Sequence, residues 1–110
     1  MGTFTAKDIV LIRFPFSDLS GTKVRPALVL TQTSHDDFII AQITSQDYSD
    51  QNAIVICDQD LHGGKLLRKS YIRPGKIFTG NHLLIQSKLA VLKQAKFDLV
   101  IEHLIALFKS

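Results

Sequence analysis

Lys23-Val24-Arg25-Pro26-Ala27-Leu28-Val29-Leu30 begins polar and charged, then becomes an unbroken apolar run. A residue directly before proline is held out of the helical region, so Arg25 must enter the run extended. Pro26 to Thr31 reads as a β-strand. The preceding stretch, Ser17-Asp18-Leu19-Ser20-Gly21-Thr22-Lys23, is a polar loop rich in turn formers. A permanent positive charge therefore stands at a rigid strand edge beside a loop, where a guanidinium can hold a phosphate through two parallel hydrogen bonds. Taken alone, the same arginine reads more readily as half of an ion pair with a nearby carboxylate.

Working outward, Ile9-Val10-Leu11-Ile12 with Phe14 and Phe16 predicts a first strand, and Pro15 puts its end at a sheet edge or bend. Phe38 to Thr44 predicts a third strand and Ala53 to Cys57 a fourth. Both are nearly continuous in apolar residues, the mark of strands buried on two faces or curved into a barrel. His62-Gly63-Gly64-Lys65 reads as a second flexible loop. Tyr71-Ile72-Arg73 reads as a short strand broken at Pro74-Gly75 and resumed over Lys76 to Thr79, and Asn81 can cap a brief helical turn over His82 to Ile85. Lys88 to Leu92 predicts another strand. At the end, Phe97, Val100, Ile101, Leu104, Ile105 and Phe108 recur at three- and four-residue steps and predict an amphipathic helix. Asp98 and Glu102 toward its first turns and Lys109 at its last would suit the helix dipole. The expected fold is mainly β with α: a small, strongly bent antiparallel sheet or barrel closed by one C-terminal helix, a single domain over residues 1–110.

Composition bounds the function. With 45% hydrophobic and 21% charged residues over 110 positions, the chain can bury one modest core and gain stability by pairing with a second copy. No apolar run reaches the roughly 18 residues needed to span a bilayer, and Met1 to Asp8 lacks the apolar core of a signal peptide. A cytoplasmic location is the expectation. Cys57 is the sole cysteine, so no intrachain disulfide forms; within its strand it reads as a small buried hydrophobe. The net charge is only +3, yet no acid occurs between Asp60 and Asp98, where Lys65, Arg68, Lys69, Arg73, Lys76, Lys88, Lys93 and Lys96 accumulate. Such a stretch attracts a polyanion or an acidic protein, and equally serves as a solvated surface.

The candidate chemistry is sparse. His35, His62, His82 and His103 show no metal-ligand spacing, and no phosphate-binding glycine loop or nucleophile elbow is present. Gln42-Ile43-Thr44-Ser45-Gln46 ends a buried strand in two hydroxyls and an amide, groups that a scaffold can hold for function or that serve as ordinary turn chemistry.

Taken together, three segments resemble the MazF/PemK toxin family. Asp8 to Leu11, Phe14 to Gly21 and Arg25 to Leu30 resemble its opening, Ile43-Thr44-Ser45-Gln46 its second motif, and Ser70-Tyr71-Ile72-Arg73 with Lys76-Ile77-Phe78-Thr79 its third. Order and spacing agree over nearly the whole chain. The resemblance implies an SH3-like barrel of the CcdB–MazF type with a C-terminal helix, a two-fold homodimer, and the toxin half of a type II toxin–antitoxin pair. It implies metal-independent cleavage of single-stranded RNA at short motifs, giving 2′,3′-cyclic phosphate and 5′-hydroxyl ends, with no cofactor and with an acidic antitoxin as partner. Arg25 and Thr44 take the catalytic positions. Phe16, Ser17, Lys23, Pro26, Ser45, Gln46, Ser70 and Lys76 take RNA-binding positions, and the loop from Ser17 to Val24 corresponds to one that covers the RNA. No residue offers itself as general base, since arginine stays protonated and threonine is no better. The family commonly has Gly where this chain has Lys7, and Leu-Asp where it has Gly80-Asn81. The alternatives are a gyrase-binding toxin of the CcdB kind, which typically ends in an aromatic including Trp where this chain has none, and an inactive nucleic-acid- or protein-binding barrel.

Overall fold

The apolar runs pair as predicted, and their order forces the sheet to curl. The computed structural model describes residues 4–14, 23–46, 51–66 and 68–110, with the side chains of Phe14 and Lys23 outside the description. The strands are β1 (Asp8–Phe14), β2 (Lys23–Gln32), β3 (Asp37–Thr44), β4 (Ile54–Ile56), β5 (Leu61–His62), β6 (Ser70–Asn81) and β7 (Ile85–Leu92), followed by helix α1 (Gln94–Lys109). They form one antiparallel sheet of seven strands in the order β4-β6-β3-β2-β1-β7-β5. Laid flat at about 4.8 Å per neighbour, the outer strands would stand about 29 Å apart. Yet β4 ends at Ile56 and β5 starts at Leu61, a stretch of chain that reaches about 18 Å at most. The sheet must therefore roll until its two edges approach, giving a curled half-barrel.

The seam between those edges is fastened by a short 3-10 turn, Asp58–Asp60. Asp60 accepts a hydrogen bond from the Cys57 backbone N–H (2.9 Å), and its carbonyl accepts one from Lys93 N–H (2.8 Å) at the entrance to α1. Lys96 of α1 reaches back to donate to the Val55 carbonyl (3.2 Å) on the β4 edge and pairs with the Asp60 carboxylate (3.7 Å). Both sheet edges and the start of the helix meet at one carboxylate.

The continuous apolar runs are explained by burial on both faces. On the inner face, Ile9, Leu28, Leu30, Ala41, Ile43, Ile72 and Leu92 pack under Val100 and Leu104 of α1, with Phe97 and Ile101 at the margin. On the outer face Val10, Ile12, Ala27, Val29, Phe38, Ile40 and Ile85 form a second cluster with Phe4, Phe78 and Leu84. The apolar stripe of α1 is thus only partly core: Ile105 and Phe108 remain exposed.

Several local expectations need correction. Pro74-Gly75 does not break the strand; β6 runs from Ser70 to Asn81 and absorbs the dipeptide in a bulge, where the partners of Ala41 and Gln42 jump from Ile77 to Arg73. His62 is not a loop residue but pairs with Val91. Cys57 is exposed, because the chain leaves β4 for the seam just before it. The first turn of α1 carries no acid; the helix begins at Gln94, so Asp98 and Glu102 fall deeper. Lys7 has φ 81°, the left-handed conformation that glycine adopts without strain, at the position where the resemblance expects glycine. Asn81 does cap its turn, accepting from Leu83 N–H (3.0 Å). Pro15, Phe16, Ser17 and the rest of the expected loop through Thr22 lie outside the described residues.

The seam sets a prediction. Asp60→Ala removes a partner from Cys57 N–H and from Lys96 and should lower stability by about 1–3 kcal/mol in urea unfolding. Lys96→Ala should cost less, and the double variant less than the sum of the two. Additive losses would show that the two residues act separately.

Candidate functional site: a cationic groove

Proline at position 26 decides where the groove opens. On one side β2 stays paired with β1 down to Lys23, with Leu11 opposite Pro26 and Ile12 opposite Arg25. On the other side the β2–β3 ladder starts only at Ala27 opposite Gln42. Pro26 has no N–H to donate, and below it the two strands part. β3 follows β6 instead, with Ile43 opposite Ile72 and Thr44 opposite Tyr71. Extending the Ala27–Gln42 register by two residues sets Arg25 across the gap from Thr44.

The gap is a groove of about 500 Å³ lined by Leu11, Arg25, Pro26, Ile43, Thr44, Ser45, Gln46, Lys65, Leu66, Arg68, Ser70 and Leu89. Its floor is apolar and its rim polar. Three of these residues are cations, and none is an acid or a histidine. Among the described residues no carboxylate pairs with Arg25, Lys65 or Arg68. The ion-pair reading of Arg25 therefore has no described partner, and the guanidinium stands exposed.

Thr44 is held for donation. Its Oγ1 accepts a hydrogen bond from the Gln46 backbone N–H (3.2 Å), which leaves the hydroxyl hydrogen free for another acceptor. Ser45 and Gln46 are exposed on the rim. Ser70 lines the groove but is buried, and its hydroxyl donates to the Arg68 carbonyl (2.9 Å). Its described role is to fix the turn that carries Arg68. Lys76 is exposed beside the β6 bulge and is not among the groove's lining residues. Phe16 and Ser17 lie outside the described residues, as does the side chain of Lys23.

Lys65, Leu66 and Arg68 belong to no motif of the sequence, yet line the groove. They belong to the acid-free stretch, which was the available signal, but a Gly-rich loop has no periodicity to say which way they face. At Gly64 the loop lies close against β7. Gly63 has φ +69°, and a Cβ on Gly64 would fall on the Leu89 carbonyl oxygen of β7. Only glycine permits that approach of two backbones, beside which Lys65 and Arg68 join Arg25 in the groove lining. The histidines lie elsewhere: His82 contacts Asp36 (3.4 Å) at the far end of β3, and His103 contacts the Leu99 carbonyl within α1.

Comparison with known proteins agrees with this architecture. A family model described as PemK-like, MazF-like toxin of type II toxin–antitoxin system matches residues 5–108. Among solved structures, the Mycobacterium tuberculosis toxin MazF-mt6 superposes with a TM-score of 0.73 at 16% identity, covering 93% of this chain and 96% of that one. An endoribonuclease in complex with its cognate antitoxin from a mycobacterial species gives 0.71 at 10% identity, over 94% and 93%. At these identities the structural likeness shows the shared fold. No curated protein matches the sequence.

The close approach at Gly64 is open to test by limited proteolysis. Gly64→Ala should loosen the loop and speed trypsin cutting after Lys65 and Arg68 about tenfold. Gly75→Ala, whose Cβ would meet open space, should leave the rate unchanged. Equal rates for the two variants would mean that the loop is not held at Gly64.

Proposed function

The chain belongs to the PemK-like, MazF-like toxin family of type II toxin–antitoxin systems, and on that footing we propose that it is a metal-independent endoribonuclease cutting single-stranded RNA in the groove between β2 and β3. The supporting observation is that Arg25 and Thr44 line one groove, which holds three cations and no acid in its lining. An unbalanced positive groove attracts a polyanion, and its apolar floor of Leu11, Ile43, Leu66 and Leu89 suits the faces of bases.

The reaction follows from the substrate. The RNA's own 2′-oxygen attacks the adjacent phosphorus, its proton passes to solvent, and the P–O5′ bond breaks. The fragment upstream of the cut ends in a 2′,3′-cyclic phosphate, and O5′ of the downstream fragment takes a proton from solvent to become the 5′-hydroxyl. Charge builds on the two non-bridging oxygens in the transition state. Arg25 presents two parallel N–H donors to that charge, and Thr44 donates the hydrogen left free by its bond to Gln46. Donors fixed before the reaction favour the transition state over the ground-state diester. DNA lacks the 2′-hydroxyl and supplies no nucleophile. Ser45 and Gln46 border the reacting phosphate, while Phe16, Ser17, Lys23 and Lys76 complete the expected RNA path.

The purified chain incubated with mixed-sequence RNA in EDTA should give discrete cuts with 5′-hydroxyl ends. Arg25→Ala should lower kcat by about 10²–10³-fold, as loss of a preorganised donor does elsewhere. Thr44→Val should lose activity that Thr44→Ser retains. Intact RNA with the wild-type chain, or full activity in Arg25→Ala, would sink the assignment.

Two partners belong to the same proposal. An acidic antitoxin segment would neutralise Arg25, Lys65 and Arg68, and the exposed Ile105 and Phe108 on α1 offer apolar surface to a second copy. Sedimentation should give about twice the chain mass of 12.3 kDa. An added acidic antitoxin should block RNA cutting, and less so as salt rises. A monomer, or inhibition insensitive to salt, would count against these partners.

A further inference from the structure

A second cleft, of about 350 Å³, lies at the seam and is lined by Ile56, Cys57, Asp58, Leu61, Leu66, Arg68 and Lys69. It adjoins the main groove, because Leu66 and Arg68 line both. Its volume falls within the usual range for small-ligand sites, about 300–1,000 Å³. Ile56 and Leu61 are buried and Leu66 is half-buried, so they give it an apolar floor, while Asp58, Arg68 and Lys69 stand exposed around it. Asp58 has no ion-pair partner among the described residues, although two cations line the same cleft.

Resting on the ribonuclease reading above, we infer that this cleft is a second nucleotide subsite, which selects the base next to the scissile phosphate. A strand whose reacting phosphate lies between Arg25 and Thr44 reaches the cleft by passing Arg68, the shared wall. Arg68 takes the next phosphate along the strand, on the far side of the selected nucleoside, and Lys69 the phosphate after it. The base face lies on Leu66, Leu61 and Ile56. The Asp58 carboxylate can only accept hydrogen bonds, so it favours a base with an exocyclic amino group: adenine, cytosine or guanine. Uracil has no exocyclic amino group, and its N3–H donor is flanked by two carbonyl oxygens that the negative charge repels. Carboxylates read the cytosine amino group by the same chemistry in other nucleic-acid complexes.

The test uses the full chain, an RNA pool randomised in sequence, EDTA, and sequencing of the cut ends. Wild-type cuts should be depleted of uracil at one position beside the cut. Asp58→Asn, which adds a donor and removes the charge, should relax that preference by at least about fivefold while preferences at other positions persist. Lys69→Ala should weaken binding of a 2′-O-methyl oligonucleotide alike for all sequences and reduce the steepness of its salt dependence by about one phosphate contact. If wild type cuts but both variants reproduce its base profile and salt slope, the subsite is overturned and the ribonuclease reading stands. If wild type cuts no RNA, both fall together.

Discussion

Four residues, Cys57 to Asp60, join the two outermost strands of a seven-stranded sheet, and that short tether governs the shape of the molecule. A flat sheet cannot satisfy it. Once the sheet rolls, its inner face becomes a concave apolar surface that must be covered, and α1 covers it with Val100 and Leu104. Asp60 and Lys96 then hold edge, turn and helix in one place. Curvature, core and helix position are consequences of one connection length.

The groove depends on the same closure. Leaving β5 at the seam, the chain passes Gly63 and Gly64 along β7 and arrives at β6 through Arg68. Gly64 lies against the Leu89 backbone, and Lys65 and Arg68 line the groove that opens beside Pro26. Two unrelated backbone constraints, a missing N–H and a missing Cβ, thus bring Arg25 and Arg68 to one cavity. The adjoining cleft at the seam follows from the curl as well, since Ile56 and Leu61 come from strands at opposite ends of the sheet order.

Much of this was legible in the sequence, and unevenly. Hydrophobic period and length gave β1, β2, β3, β7 and α1 because each is long enough for its pattern to show. Arg25-Pro26 was readable because proline restricts its neighbour whatever the context. The continuity of β6 was hidden by Pro74-Gly75, which normally ends a strand and here sits in a bulge. His62 and Cys57 were misplaced because a two-residue strand and the turn beside it are set by the seam, a contact between distant segments that has no local signature. Lys65 and Arg68 were visible as charge but not as site, since their direction depends on Gly64 meeting a strand more than twenty residues away. The family resemblance supplied the joint significance of Arg25 and Thr44, which neither residue carried alone.

The edges left by the curl are unusually short: β4 has three residues and β5 two. The Val55 carbonyl on the first is already engaged by Lys96, and the Cys57 N–H just past it by Asp60. An incoming strand finds too few free backbone groups there to add to the sheet. Copies of the chain are thereby discouraged from stacking edge to edge into aggregates.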